Sequence, residues 1–167
     1  MCTSCSPGFY SEVQGAFECR ACVPGTYSGK MGLNNRSLCT SCPAGTWSDA
    51  ENATSASTCI PCEKGTYSMT TAANSADACT KCSAGKYNNQ AGAATETKCV
   101  TCPSGTFAET QGNIDVANCT LCPAGTSSVG EGKTNSSTCR ACDDGSYSSS
   151  DGSTACMQCR VGTSTAK

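Results

Sequence analysis

The apolar positions of this chain recur with a fixed period, and polar residues fill the intervals between them. A Cys-x-x-Cys pair begins about every 20 residues, and a glycine follows the second cysteine of each pair by three positions. The stretch "CPAGTWSDAENATSASTCIPCEKGTYS", from Cys42 to Ser68, contains two successive copies of this pattern. Self-similarity at such a period is typical of tandem-repeat architectures.

The cysteine pairs define the organisation of the chain. All 18 cysteines belong to nine pairs, which begin at Cys2, Cys19, Cys39, Cys59, Cys79, Cys99, Cys119, Cys139 and Cys156. We therefore treat residues 1–167 as one continuous array of units, approximately 2–18, 19–38, 39–58, 59–78, 79–98, 99–118, 119–138, 139–155 and 156–167, the last incomplete. Because neither end resembles the polar cap that repeat arrays need, we expect the sequence to be an excerpt of a longer array.

The residues between cysteine pairs predict a short β-hairpin in each unit. The recurrent glycine indicates a left-handed backbone or an approach too close for a Cβ atom, and the Thr-aromatic-Ser that often follows suits a short strand. The glycines expected at turns are Gly8, Gly25, Gly45, Gly65, Gly85, Gly105, Gly125, Gly145 and Gly162.

An aromatic residue stands two positions after most of these glycines. We expect each ring to cover the neighbouring disulfide and to stack on the next unit; the alternative is a row of exposed rings that contact carbohydrate or protein. The aromatic residues are Tyr10, Tyr27, Trp47, Tyr67, Tyr87, Phe107 and Tyr147, whereas Ser127 and Ser164 occupy the position in two copies.

The composition excludes a conventional hydrophobic core, because the chain has few large apolar residues. Leu, Ile, Val and Phe together make up only about 8% of the 167 residues, while cysteine makes up about 11%. A chain this poor in large apolar side chains needs covalent cross-links to fold. The net charge of −2 without charged runs gives no indication of nucleic-acid binding, and no apolar run is long enough for direct membrane insertion in this segment.

Two regular disulfide pairings fit the period. The favoured one joins the second cysteine of each pair to the first cysteine of the next, which closes every hairpin in the same way; the other joins first to first and second to second across adjacent pairs. The favoured bonds are Cys5–Cys19, Cys22–Cys39, Cys42–Cys59, Cys62–Cys79, Cys82–Cys99, Cys102–Cys119, Cys122–Cys139 and Cys142–Cys156. Cys2 and Cys159 are then left to bond with units beyond the excerpt.

Cys-x-x-Cys pairs also suggest zinc binding or redox catalysis. The spacing from Cys22 to Cys39 and Cys42 falls in the range of four-cysteine zinc ribbons, but the prolines at 43, 103 and 123 remove a backbone N–H that zinc knuckles usually have. Thioredoxin-like chemistry needs one reactive pair at a helix start in a packed domain. We keep a zinc-binding array as a remote alternative, and we expect no metal and no cofactor.

The motifs "CPAGTWS", "CVPGTYS", "CEKGTYS" and "CPSGTFA" resemble the ephrin-receptor-like cysteine-rich repeat, which also occurs in modules similar to the tumour-necrosis-factor receptor. The resemblance covers the whole chain. It implies an extracellular, rod-like, disulfide-linked β module and supports the favoured pairing. The strict 20-residue period is more similar to that of protist surface antigens and of mastigoneme-like filament proteins.

Together these observations predict the fold class: small, disulfide-rich and all-β, an elongated solenoid-like tandem-repeat rod with little or no helix. If two strands of each unit add at strand spacing, each unit advances by about 10 Å.

Four Asn-x-Ser/Thr sequons are candidates for N-glycosylation. They are Asn35, Asn52, Asn118 and Asn135. Asn35 and Asn135 share one repeat position, whereas Asn118 stands directly before a cysteine. The Ser/Thr-rich stretches could equally carry O-linked sugars. Aliphatic residues that exceed the thin core, and that we interpret as lateral contacts, are Leu33, Leu38, Ile114 and Val116.

No residue pattern indicates an enzyme. The chain has no His, no carboxylate pair at a defined spacing and no nucleophile motif. We expect a structural extracellular or cell-surface glycoprotein, which self-associates into a filament, fibre or cell coat. The alternative is the stalk of a cell-surface receptor ectodomain, a binding module.

Overall fold

The computed structural model describes residues 3–163, which form eight two-stranded antiparallel sheets. Each sheet joins the strand after a turn glycine to the two residues inside the next Cys-x-x-Cys pair. The strands pair in sequence order, β1 with β2 through β15 with β16. They are β1 (Phe9–Tyr10), β2 (Arg20–Ala21), β3 (Thr26–Tyr27), β4 (Thr40–Ser41), β5 (Thr46–Trp47), β6 (Ile60–Pro61), β7 (Thr66–Tyr67), β8 (Thr80–Lys81), β9 (Lys86–Tyr87), β10 (Val100–Thr101), β11 (Thr106–Phe107), β12 (Thr120–Leu121), β13 (Thr126–Ser127), β14 (Arg140–Ala141), β15 (Ser146–Tyr147) and β16 (Met157–Gln158).

The repeating structural unit begins at the second cysteine of each pair. It therefore starts three residues after the unit boundaries that the sequence suggests, because the second strand lies between the two cysteines of a pair. We name the units hairpins 1 to 8, and they span residues 5–21, 22–41, 42–61, 62–81, 82–101, 102–121, 122–141 and 142–158.

Six of the hairpins approach their second strand through one turn of 3-10 helix. These turns are Arg36–Leu38, Ala56–Thr58, Ala76–Ala78, Glu96–Lys98, Val116–Asn118 and Ser136–Thr138. Hairpins 1 and 8 close shorter disulfide loops, with a separation of 14 rather than 17 residues between their cysteines. No 3-10 turn is present in either of these short hairpins.

The turn that opens each hairpin is a type II turn, and hairpin 3 illustrates it. Thr46 N donates to Pro43 O at 3.1 Å, and Gly45 between them has φ +83°. A type II turn needs positive φ at its third position, which favours glycine there. The Thr46 hydroxyl donates to the same carbonyl at 2.8 Å and strengthens the turn.

Successive hairpins are joined mainly by backbone hydrogen bonds. Within each compact unit, these bonds involve a turn glycine, the residue after the aromatic position and the tip of the next hairpin. Between hairpins 3 and 4 these bonds are Gly45 N to Ser68 O (2.7 Å), Ser48 N to Ala73 O (3.0 Å) and Ala72 N to Cys42 O (2.9 Å). The same arrangement recurs between hairpins 6 and 7, where the bonds are Gly105 N to Ser128 O (2.9 Å), Ala108 N to Lys133 O (2.9 Å) and Gly132 N to Cys102 O (2.8 Å).

Several turn glycines, Gly45 and Gly105 among them, also pack against the hairpin two places further along. A Cβ atom added to Gly45 would lie 2.3 Å from the carbonyl oxygen of Gly92, in hairpin 5. A Cβ added to Gly105 would lie 2.0 Å from the carbonyl oxygen of Gly152, in hairpin 8. Glycine is therefore required twice over, by the positive φ and by the close approach.

The chain divides into two compact units. The first contains residues up to Thr80 together with Ala91–Lys98, and the second contains Lys81–Gln90 together with the chain from Cys99 onward. Buried cysteines and small residues supply most of the core in both, for example Cys42 and Ala73 in the first and Cys102 and Ala108 in the second. The predicted class, a small disulfide-rich all-β repeat, is confirmed.

We predict that Gly45→Ala lowers the free energy of unfolding by more than about 3 kcal/mol, because it adds a clash with Gly92 to the cost of positive φ. Gly125→Ala is the matched control, since Gly125 has φ +81° but no atom within 4 Å of its added Cβ. We expect the control to lose about 1–2 kcal/mol. Urea unfolding followed by far-UV circular dichroism measures both variants, and equal losses would contradict the close-approach argument.

Candidate functional site

Sixteen cysteines form eight disulfides in the described part of the chain. The pairs are Cys5–Cys19, Cys22–Cys39, Cys42–Cys59, Cys62–Cys79, Cys82–Cys99, Cys102–Cys119, Cys122–Cys139 and Cys142–Cys156. These are the pairs expected from closure of each hairpin. The paired Cα atoms lie 5.4–5.9 Å apart, which is the usual range for a disulfide.

Two cysteines, Cys2 and Cys159, remain. Cys2 lies outside the described residues. Cys159 is a free, half-buried thiol, and its backbone N–H donates to Gly145 O at 2.8 Å. Cys142 makes the equivalent bond to Gly125 O at 2.9 Å. Cys159 therefore occupies the repeat position of a disulfide-bonded cysteine.

The disulfide-bonded cysteines are poor ligands for a metal ion such as zinc. A disulfide sulfur is not a thiolate, and the thiolate is the form that binds zinc. Within residues 3–163, no three side chains of His, Cys, Asp or Glu gather into a group that could hold a metal ion. The sixteen paired cysteines thus act as covalent cross-links in this structure.

Two of the aromatic rings lie against the disulfide of the next hairpin. Tyr10 is 6% exposed and belongs to one buried cluster with Cys22, Cys39 and Leu33. In the second compact unit, Tyr87 packs against a cluster that contains Cys102 and Cys119.

Tyr10 is the most enclosed of these rings, and Tyr87 is half-buried. Tyr27, Trp47, Tyr67 and Phe107 are half-buried. Tyr147 in hairpin 8 is 41% exposed. Where a ring is buried, its strand also forms a parallel bridge with the tip of the next hairpin, as in Tyr10 with Leu33. This burial favours a packing role over an exposed row of rings in the interior hairpins.

The residue after the aromatic position is a buried polar group that sequence reasoning did not identify. Ser48 is 1% exposed, and its hydroxyl accepts from Ala50 N at 3.3 Å. Asn88 is 2% exposed, and its side-chain oxygen accepts from Gln90 N at 3.0 Å. Each side chain orders the start of the hairpin tip. Its recurrence as Ser28, Ser48, Ser68, Asn88, Ser128 and Ser148 was the available signal.

Two of the four sequons lie at helix N-caps. Asn35 and Asn135 precede the 3-10 turns of hairpins 2 and 7, a position held by Ser75 and Asp115 in hairpins 4 and 6. Asn35 Oδ1 accepts from Ser37 N and from the Ser37 hydroxyl, both at 2.8 Å. Since Asn is a preferred N-cap, capping accounts for the position of Asn35. Asn135 holds the same position without a side-chain cap bond, and its Oδ1 accepts from the Ser137 hydroxyl.

The other two sequons have different surroundings. Asn52 is exposed and has φ +50°, while its N–H donates to Cys22 O at 3.0 Å. Asn118 Oδ1 accepts from Ile114 N and Asp115 N, both at 3.1 Å, within a capping box.

The aliphatic residues singled out as lateral contacts do not all reach the surface. Leu33 is 5% exposed and lies in the core beside Tyr10, so its interpretation as a lateral contact is wrong. The pattern misled because hairpins 3 to 5 have a small buried alanine at this position, as Ala53, Ala73 and Ala93, so a leucine there exceeds the usual core residue. Leu38, Ile114 and Val116 are 46–51% exposed.

We predict that Tyr10→Ala speeds reduction of the Cys22–Cys39 disulfide and lowers the free energy of unfolding by about 3 kcal/mol, because removal of a buried ring leaves a cavity beside the sulfurs. Tyr147→Ala, which removes a ring that is already 41% exposed in hairpin 8, is the control and should leave the reduction rate of Cys22–Cys39 unchanged. Limited reduction with a phosphine, alkylation and peptide mass mapping measure both rates. An unchanged rate at Cys22–Cys39 would show that Tyr10 does not shield it.

Within residues 3–163, no helix combines the length and the apolar character needed to cross a membrane.

The comparison with curated proteins found no match. The family described as tyrosine-protein kinase ephrin type A/B receptor-like matches residues 1–39, 52–99, 93–139 and 131–167. Modules of this type are non-catalytic and are typical of extracellular domains. This match covers most of the chain and agrees with its hairpins and its disulfides. The chain therefore belongs to the ephrin-receptor-like family of cysteine-rich repeats.

Proposed function

We propose that the chain is a structural protein of the cell surface or extracellular space, a disulfide-linked repeat array that forms or coats a filament, fibre or cell coat. The observation that carries the proposal is the uniformity of the junctions. Gly N–H to carbonyl bonds of 2.7–2.9 Å recur between successive hairpins in both compact units. An array built on repeated backbone bonds can tolerate variation in its exposed side chains, as a structural repeat requires.

Self-association would use exposed aliphatic side chains on the second strands. Ile60 is 44% exposed, Val100 is 49% exposed and Leu121 is 54% exposed. Each lies inside a Cys-x-x-Cys pair, in a strand that has only one hydrogen-bonded neighbour. Burying such a side chain between copies would contribute roughly 1.5–3 kcal/mol.

Secretion and the absence of catalysis are parts of the same proposal. Eight disulfides need an oxidising compartment to form and persist. Glu12 and Glu109 accept hydrogen bonds from the backbone N–H groups of Arg36 and Ser136, at the start of a 3-10 turn, which is a structural role.

The competing function is the stalk of a cell-surface receptor ectodomain, and the receptor-like family supports it. The two functions differ in their assembly. A filament protein associates through many equivalent contacts, whereas a stalk stays monomeric and presents a separate head.

We predict ordered fibres that contain many copies when native material is examined by electron microscopy. Isolated monomeric particles would contradict the structural proposal and favour the receptor stalk.

In reassembly of purified protein, Val100→Glu should raise the critical concentration for assembly about tenfold, because it places a charge in the proposed contact. Thr120→Glu is the control, since Thr120 has the same repeat position and adds the same charge without removing an aliphatic side chain.

We further propose N-glycosylation at Asn35, Asn52 and Asn135, with Asn118 the weakest candidate, and O-linked sugars on the Ser/Thr-rich stretches. All four asparagines are exposed. The amide oxygens of Asn35 and Asn135 accept hydrogen bonds, whereas the amide nitrogen is the atom that would carry the glycan.

We predict that Asn35→Asp and Asn135→Asp each remove one glycan mass from the secreted protein and leave its thermal stability within about 0.5 kcal/mol, because Asp is an equally good N-cap. Intact-mass and peptide mapping before and after enzymatic deglycosylation measure occupancy. Finding both asparagines unmodified in native material would remove this part of the proposal.

A further inference from the structure

Hairpin 7 differs from the other described hairpins at its aromatic position. Ser127 stands where the other seven have a ring, from Tyr10 to Tyr147. Beside Ser127 lies an open cavity of about 490 Å3. Its lining residues are Ser127, Val129, Lys133, Ser137, Thr138 and Arg140.

Two cations line this cavity, and no acidic side chain does. Lys133 occupies a position that is Leu33 in hairpin 2 and Ala53 in hairpin 3, both 5% exposed. Arg140 occupies the first position of its strand, where hairpins 2, 4 and 6 have threonine. Hairpin 7 thus combines a lost ring with a lysine that replaces a small or apolar buried residue.

The backbone holds both cations at the cavity. Lys133 O accepts from Ala108 N at 2.9 Å, which is one of the bonds that join hairpins 6 and 7. Arg140 pairs directly with Ser127 across strands β13 and β14. The backbone hydrogen bonds that join the hairpins and pair the strands therefore also fix the Cα positions of Lys133 and Arg140.

The loop between Ser127 and Lys133 makes room for the lysine. Gly130 has φ +84°, and a Cβ atom there would lie 3.4 Å from Lys133 Nζ. The backbone at this position is different from that of hairpins 2 to 4, where a buried serine hydroxyl accepts from the N–H two residues later. Ser128, 2% exposed, has no hydrogen-bond partner for its hydroxyl.

The hydroxyl oxygens of the lining residues can accept hydrogen bonds from a ligand. The Ser137 hydroxyl donates to Asn135 Oδ1, and the Thr138 hydroxyl donates to Asn135 O at 2.7 Å. Ser127 Oγ lies 3.4 Å from Cys156 Sγ, and the serine is the donor because a disulfide sulfur carries no proton. With these protons engaged, the hydroxyl oxygens act as acceptors toward anything that enters the cavity.

A ligand that suits this lining has a negative charge and several hydroxyl donors. We propose that the cavity of hairpin 7 binds a saccharide unit that carries a carboxylate or sulfate group. Lys133 and Arg140 contact the acidic group, and Ser137 and Thr138 accept from the sugar hydroxyls. The volume falls within the range of small-molecule sites. The site is independent of whether the chain forms a filament.

The test titrates the full chain with three oligosaccharides of equal length: an oligogalacturonate, a sulfated dextran and a neutral dextran, with calorimetric detection at low salt. The first two arms distinguish carboxylate from sulfate as the preferred group, and we expect binding in at least one of them. We expect none with neutral dextran.

Lys133→Ala and Arg140→Thr should each weaken binding about tenfold, since each removes a charge-assisted hydrogen bond. Both substitutions introduce the residue that other hairpins have at the same position, so both variants should fold. Ser127→Tyr restores the ring and should fill the cavity and abolish binding. Arg20→Thr is the matched control, because Arg20 has the repeat position of Arg140 but lies beside Glu12 and Glu18; it should bind as the parent chain does.

Three results would overturn the proposal. They are the absence of binding to both acidic oligosaccharides, unchanged affinity in Lys133→Ala and Arg140→Thr, and equal affinity for an oligoglutamate of the same charge. The last of these would show that hydroxyl groups contribute nothing and that the cavity selects charge alone.

Discussion

The packing of turn glycines such as Gly25, Gly45 and Gly105 against the backbone two hairpins further along is the tightest constraint on the array. At Gly45 the distance from an added Cβ to the Gly92 carbonyl oxygen would be 2.3 Å, well inside van der Waals contact. Three hairpins must therefore keep a common geometry wherever this contact is made. The positive φ that all nine turn glycines share explains why the glycine is present in every copy, including those without the contact. The contact does not depend on the full tip length, because the short hairpin 8 still places Gly152 O 2.0 Å from a Cβ added to Gly105.

Sequence reasoning predicts features that one residue determines locally, and it fails where a neighbour distant in sequence decides. The hairpins and the positive φ of Gly45 follow from spacing and turn chemistry. The period left two cysteine pairings open, and the favoured one depended on equal closure of every hairpin and on the family resemblance. Burial of Leu33 does not follow, because its contact with Tyr10 and the Cys22–Cys39 disulfide depends on how two hairpins stack. The buried hydroxyl of Ser48 was visible only as a recurrent serine, which a strand also explains. Trp47 pairs with Ile60 inside the following Cys-x-x-Cys pair, so a hairpin counted from its second cysteine overlaps two of the units defined from the sequence.

The division between backbone and side-chain roles explains how one architecture can have both uniform and specialised hairpins. Junction bonds use N–H and carbonyl groups, and the cysteines and small residues fill the core. Exposed positions are then free to change without loss of the fold. Hairpin 7 uses this freedom most: Ser127, Gly130, Lys133 and Arg140 change the surface chemistry while the Cys122–Cys139 bond and the junction to hairpin 6 keep their usual form. A non-catalytic repeat family can in this way acquire a local binding property.

The disulfide pattern also limits how far the chain can stretch under load. A pulling force that passes along the array enters each hairpin at its second cysteine and crosses the disulfide directly to the first cysteine of the next pair. The residues inside the loop, a separation of 17 in hairpin 3, carry none of that force. Even with all hydrogen bonds broken, one repeat extends to only about 16 Å, a Cα–Cα distance of 5.6 Å across the disulfide plus three residues of extended chain. The reduced repeat of 20 residues would reach about 70 Å. Oxidation thus makes the array a tether of nearly fixed length, whose extensibility is set by the redox state of its cysteines.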